Sequence, residues 1–154
     1  MDTLDSGIWQ AVHDGVMGGV SSGRVVATQD GLRFEGVISL ENNGGFASVR
    51  RAIEQDLSAA RGVRLVLRGD GRRYQFRLRP GARPDAVAWR VHFDTGPDWQ
   101  TLEFEWPDFE PVFRGRPVPQ AGPVAPAEIR QVGFMLADGR AGPFGLEIRT
   151  LEFF

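Results

Sequence analysis

The segment Val63-Arg64-Leu65-Val66-Leu67-Arg68-Gly69-Asp70-Gly71-Arg72-Arg73-Tyr74-Gln75-Phe76-Arg77-Leu78 decides the fold class. Apolar residues fall at every second position on either side of Asp70-Gly71, which is the period of a strand and not of a helix. If Asp70-Gly71 is a two-residue loop, Leu67 faces Tyr74, Leu65 faces Phe76 and Val63 faces Leu78, as a half-buried antiparallel hairpin requires. The opposite face then carries Arg68 across from Arg73 and Arg64 across from Arg77. Like charges directly opposite destabilise a sheet, so this face calls for acidic neighbours or an anionic partner.

The same period recurs outward in both directions. Strands are predicted over Ile8 to His13, Arg24 to Thr28, Leu32 to Leu40 and Phe46 to Ala52 on the N-terminal side. Asp30-Gly31 and Asn42-Asn43-Gly44-Gly45 supply the turns, and Asn-Gly is a strong hairpin signal. On the C-terminal side Trp89, Val91 and Phe93 alternate with Arg90, His92 and Asp94. Leu102, Phe104 and Trp106 alternate with Glu103 and Glu105, the acids best placed to neutralise the arginine face. Prolines and glycines leave Pro107 to Pro126 as a structured loop. Arg130 to Leu136 and Phe144 to Phe153 complete the strands. No segment shows a helical period. An all-β antiparallel sandwich of jelly-roll type is the expected fold, as one domain over residues 1–154.

Composition excludes several chemistries. There is no cysteine, hence no disulfide, thiol nucleophile or thiolate metal site. All 18 basic residues are arginine, which removes Schiff-base chemistry and a phosphate-loop lysine. A net charge of −2 gives no global field for nucleic acid. No apolar run reaches the length of a membrane span. The start, Met1 to Asp5, is acidic and lacks the apolar core of a signal peptide, so the cytoplasm is the expected compartment.

The densest glycine stretch is Asp14-Gly15-Val16-Met17-Gly18-Gly19-Val20-Ser21-Ser22. It does not have the Gly-x-Gly-x-x-Gly spacing and precedes no helix, so a dinucleotide cradle is not indicated. Ser21 and Ser22 near His13 invite a hydrolase reading, yet Gly-x-Ser-x-Gly is absent. His13 and His92 have no metal-ligand spacing. Asp14, Asp70 and Asp98 offer oxygen ligands for a structural calcium ion, without a calcium-loop motif. The glycines read first as a clasp across one end of the sandwich, near the turns at Asn43-Gly44 and Asp70-Gly71. Met17 reads as a contact residue or as a plug for the sandwich end. Trp9, Trp89 and Trp106 read as core, whereas Phe46 and Trp99 fall off the core alternation.

Trp9, the Asp14-Gly15-Val16-Met17-Gly18-Gly19-Val20-Ser21 string, Phe34-x-Gly36, Asn43-Gly44-Gly45-Phe46-Ala47-Ser48, Gly69-Asp70-Gly71-x-x-Tyr74 and Trp99 occur in order. Phe109, Phe113-Arg114-Gly115, Gly133-Phe134 and Gly142-x-Phe144-x-Leu146-x-Ile148 follow. In these pieces the chain resembles the complex I intermediate-associated protein family, from Trp9 to Ile148. The resemblance implies a galactose-binding-like β-sandwich and a non-enzymatic, chaperone-like assembly role, with no cofactor or metal. It implies a protein partner, the subunits of respiratory complex I. A carbohydrate- or small-ligand-binding module is the alternative. Candidate contact residues are Asp14, Met17, Gly18, Gly19 and Ser21 in the first loop, with Asn43, Phe46, Asp70, Arg72 and Trp99.

Overall fold

A computed structural model describes residues 8–13, 21–41, 44–81 and 87–154, with backbone alone at position 13. Its strands are β1 (Gln10–His13), β2 (Ser22–Ala27), β3 (Leu32–Ile38), β4 (Ala47–Ala52), β5 (Gly62–Gly69), β6 (Arg73–Arg79), β7 (Ala88–Asp94), β8 (Gln100–Glu105), β9 (Glu110–Phe113), β10 (Arg116–Pro117), β11 (Gln131–Leu136) and β12 (Gly142–Phe153). They form a seven-stranded sheet, β1-β4-β11-β6-β7-β9-β10, and a five-stranded sheet, β2-β3-β12-β5-β8. Every pairing is antiparallel. Among the described residues there is no α-helix, only short 3-10 turns such as Trp106–Asp108. The jelly-roll sandwich predicted from alternation is the observed fold, although Pro107 to Pro126 also contributes β9 and β10.

The inner faces meet over an aromatic core. Phe34, Tyr74 and Phe144 are mutually edge-on, with ring centroids 4.9–6.4 Å apart. Phe76 joins Phe134 at 5.2 Å and Phe109 at 6.3 Å. Each such ring taken out of water contributes roughly 2–3 kcal/mol. Two core indoles have acceptors: buried Trp106 Nε1 donates to the Ala60 carbonyl at 2.8 Å, and half-buried Trp89 Nε1 to the Gly122 carbonyl at 3.1 Å.

Two predicted hairpins are in fact corners between sheets. β5 lies in the five-stranded sheet and β6 in the seven-stranded sheet, so Asp70-Gly71 carries the chain across the sandwich. β3 and β4 are divided in the same way, so Asn43-Gly44 does not close a hairpin either. The physical reason is a degeneracy. Leu67, Leu65, Val63, Tyr74, Phe76 and Leu78 are all buried, and apolar alternation is satisfied equally by pairing within one sheet or by facing across the core. The corner also puts Arg64 and Arg68 on one outer face and Arg73 and Arg77 on the other, removing the repulsion that the hairpin would have imposed. The Asp30-Gly31 turn, by contrast, does close a hairpin, with Ala27 opposite Leu32.

These corners gather at one end. β12 starts there, with Gly142 beside Ile38 at the end of β3. β11 ends there, with Leu136 beside Ala47 at the start of β4. β1 ends and β2 begins at the same end, with His13 beside Ala47 and Ser22 beside Val37. The stretch 14–20 that joins them lies outside the described residues.

Candidate functional site

Of the predicted site residues, Ser21, Phe46, Asp70, Arg72 and Trp99 are described, and they stand at the corner end. Asp14, Met17, Gly18, Gly19 and Asn43 lie outside the described residues. Ser21 is buried, and its hydroxyl donates to the Ser39 carbonyl at 3.1 Å while accepting the Ser39 amide at 2.9 Å. That reciprocal pair ties the entry of β2 to the exit of β3. Ser21→Ala should therefore cost about 1–2 kcal/mol by orphaning both Ser39 groups, read as a lower urea midpoint with an unchanged slope. Phe46 is half-buried immediately before β4.

Asp70 ties the corner together. Its carboxylate accepts from the Arg72 amide at 3.1 Å, the Gly145 amide at 2.8 Å and the Tyr74 hydroxyl at 3.1 Å. Burial first, and then the charge of Asp70, keep the Tyr74 phenol above its ordinary value, so it remains a donor. Arg72 is also turned inward. Its guanidinium binds both oxygens of Asp138, at 2.9 and 2.6 Å, and donates to the carbonyls of Gly142, Pro143 and Arg140. The Arg72 hydrogen bonds hold the Asp138 carboxyl below the usual carboxylate range. Asp138 was not singled out from sequence. Its only signal was the Asp138-Gly139 turn after a predicted strand.

Trp99 is set differently. It precedes β8 and is half-buried, with the guanidinium of Arg68 4.5 Å and that of Arg149 4.0 Å from its ring centroid. Arg149 reaches it because β12 slips register between Ile148 and Thr150 where it pairs with β5, a bulge that re-aims one side chain. Cation–π contacts of this kind are each worth about 0.5–1 kcal/mol. Beyond the indole the outer face of the five-stranded sheet carries two groups of ion pairs. Arg24 meets Glu35 at 2.8 Å, Arg33 meets Glu35 at 3.1 Å, and Arg68 meets Glu147 at 3.2 Å. Arg64 meets Glu103 at 3.1 Å and Glu152 at 2.8 Å. Glu103 thus acts as expected, while Glu105 sits opposite Gly62 instead. A cleft of about 410 Å³ opens at the corner end of this face, lined by Arg33, Arg68, Asp70, Pro97, Phe144 and Glu147 among others. Its walls offer charge and one aromatic edge. Among the described residues no cluster of histidine and carboxylate side chains could hold a metal ion.

The family model described as Complex I intermediate-associated protein 30 (CIA30) covers residues 1–148. The chain belongs to this family. Within the CIA30 domain, Asp70 and Tyr74 of the Gly69-Asp70-Gly71-x-x-Tyr74 string lock the corner, and Gly36 and Phe144 from two other strings stand side by side. No curated protein matches the chain. Among solved structures, the CIA30 fold is similar to a family 11 carbohydrate-binding module from Clostridium thermocellum in complex with a β-1,3-1,4-mixed-linked tetrasaccharide. The TM-score is 0.73 at 15% identity, covering 100% of this chain and 92% of that one. The family 11 module of the cellulosomal cellulase Lic26A-Cel5E of the same organism gives 0.71 at 15% identity, covering 96% and 87%. A family 30 module of that organism's cellulase Cel9D-Cel44B gives 0.58 at 12%, covering 86% and 82%. At these identities the likeness is one of fold. Among the described residues no helix is long and apolar enough to cross a membrane.

Proposed function

We propose that this chain is a non-enzymatic assembly module that holds a protein partner, subunits of respiratory complex I, through the corner end of the sandwich. Membership of the CIA30 family over residues 1–148 carries the reading. The corner geometry supports it. The loops are fixed by inward hydrogen bonds of Ser21, Asp70 and Arg72, so they offer a preorganised surface at low entropic cost. We assign the contacts to Trp99 and Phe46, together with Asp14, Met17, Gly18, Gly19 and Asn43. Tryptophan flanked by arginine is a composition that dominates interface energies.

A glycan-binding module is the second reading, and the likeness to carbohydrate-binding modules is what favours it. Trp99 weighs against it, since a sugar stacking on its ring would have to displace a guanidinium already engaged there. A glycan array separates the two readings.

Affinity capture from the native organism, with complex I subunits quantified, tests the proposal. Trp99→Ala should lower their recovery at least about tenfold, the effect of losing a modest hot spot, and Met17→Asp should act in the same direction. The proposal fails if a deletion strain assembles complex I at the normal rate and the wild-type protein captures none of its subunits.

A further inference from the structure

The two outer faces of the sandwich carry arginine in opposite circumstances. On the five-stranded sheet, the guanidiniums of Arg24, Arg33, Arg64 and Arg68 all have carboxylates. The seven-stranded sheet brings Arg50 of β4, Gly133 of β11, Arg77 of β6 and Arg90 of β7 into one row, with Arg79 on the same face of β6. Arg90 is paired with Glu110 at 2.9 Å. Among the described residues, no carboxylate lies within ion-pair distance of Arg50, Arg77 or Arg79. Among the described residues, Asp94 lies 3.9 Å from Arg73, and Asp138 is already bound to Arg72.

The polar atoms of the face are also incomplete. Arg77 Nη1 donates to the thioether of Met135 at 2.8 Å, a weak acceptor for a full cation. The buried side-chain polar atoms left without a partner among the described residues are Arg77 Nε, Gln75 Oε1 and Gln131 Oε1. All three belong to this face, because Gln75 stands beside His92 and Gln131 beside Arg79. Buried polar groups in native proteins are normally satisfied, so three orphans together ask for an outside group. Gly133 brings Arg50 and Arg77 close on either side of it. A side chain there is barred, since its Cβ would stand 2.6 Å from the Val49 carbonyl oxygen.

We propose that the outer face of the seven-stranded sheet docks an acidic peptide segment of the partner protein, with its carboxylates on Arg50, Arg77 and Arg79 across Gly133. The assignment rests on the reading that the partner is a protein. It goes beyond the corner loops by naming a second surface and its chemistry. The orphans discriminate among anions. These atoms are buried, so a docked segment reaches them only by turning their side chains outward. Arg77 Nε then takes an acceptor and Gln75 Oε1 and Gln131 Oε1 take donors, and a peptide supplies carboxylates and N–H groups together. A phosphodiester chain brings few donors. The row, Arg50 to Arg90, and its flanks, Ser48, Met135, Gln75 and His92, contain no phenylalanine, tyrosine or tryptophan for a base or a sugar to stack on. The uncompensated charge is felt locally. Burial lowers Arg77 to about 10, with Arg79, Arg90 and Arg50 adding to the shift, and burial followed by Arg90 lowers His92.

Fluorescence anisotropy with a labelled poly-glutamate peptide tests this, with wild type, Arg77→Gln, the double variant Arg50→Gln/Arg79→Gln, and Arg64→Gln as a control from the paired face. Arg77→Gln and the double variant should each weaken binding at least about tenfold, and Arg64→Gln should leave it unchanged. Equal binding by all four proteins overturns the proposal. So does displacement of the peptide by a sulfated oligosaccharide at a much lower concentration, which assigns the face to an acidic glycan. Thermal shifts confirm that each variant is folded. Capture of complex I subunits separates this inference from the reading beneath it. Undiminished capture by Arg77→Gln sinks the inference alone, and peptide binding without any capture sinks the assembly reading alone.

Discussion

Asp138→Asn should destabilise the protein by about 3 kcal/mol or more, because it strands a buried cation. The Arg72 and Asp138 side chains are only 6% and 10% exposed, and the guanidinium clamps both carboxylate oxygens. The amide has nearly the same shape but no charge, and its NH₂ would point at one of the guanidinium donors. The corner between β5 and β6 and the turn between β11 and β12 would then loosen together, since Arg72 also holds the Gly142 and Pro143 carbonyls. Replacing both partners, as Arg72→Met/Asp138→Leu, should recover part of the loss but not all. The apolar pair removes the stranded charge and leaves those carbonyls without their donor. Urea titration of the two variants gives both numbers. An Asp138→Asn midpoint within error of wild type would show that the clamp is not what fixes the corner.

The pH dependence has a definite sign. Hydrogen bonding to Arg72 depresses Asp138 in the folded state. The stabilisation is therefore complete above the unfolded aspartate value of about 3.9, and it is lost as pH falls through the lower folded value. Asp138→Asn should flatten this part of the acid limb while wild type keeps it. The same comparison distinguishes loss of the ion pair from a general packing defect, which would leave the acid slope unchanged.

Which parts of this molecule were legible from sequence follows from what each signal encodes. Alternation encodes that a strand is half-buried, and it located most of the strands to within a few residues. It does not encode which sheet a strand joins. Leu65 and Phe76 satisfy the same pattern as cross-strand neighbours or as partners across the core, and the turn at Asp70-Gly71 suits either. The repulsion foreseen between Arg64 and Arg77 was the one available hint that the corner was the correct solution. Trp99 and Phe46 stood out because they broke the alternation, and the structure leaves both half-buried at the corner end. Arg72 stood out as a loop cation, yet its donors turn inward to an acid more than sixty residues away, at position 138. The arginine row of the outer face was not legible. Arg50, Arg77 and Arg90 come from three strands that only the order β4-β11-β6-β7 sets side by side.

Gly36→Ala tests the other half of the corner and should cost at least about 3 kcal/mol, the upper range for overpacking. Gly23, Gly36 and Phe144 lie in one row across β2, β3 and β12. A Cβ on Gly36 would stand 2.0 Å from the Ser22 carbonyl oxygen and 2.8 Å from the Gly23 Cα, which are backbone atoms that no rotamer change can move aside. β2 would have to separate from β3, and the Phe144 ring, 4.9 Å from that of Phe34, would lose its seat in the core. Gly71→Ala provides the comparison. Its Cβ would meet nothing within 4 Å, and its φ of +89° makes the cost purely conformational, about 1 kcal/mol. Urea titration should thus rank Gly36→Ala well below Gly71→Ala. Hydrogen exchange should show the first opening β2–β3 amides selectively while the second leaves them protected. If the two variants are equally stable, the Phe34-x-Gly36 string does not owe its glycine to the close approach of β2, and the clasp at Ser21 and Ser39 must hold the strands by itself.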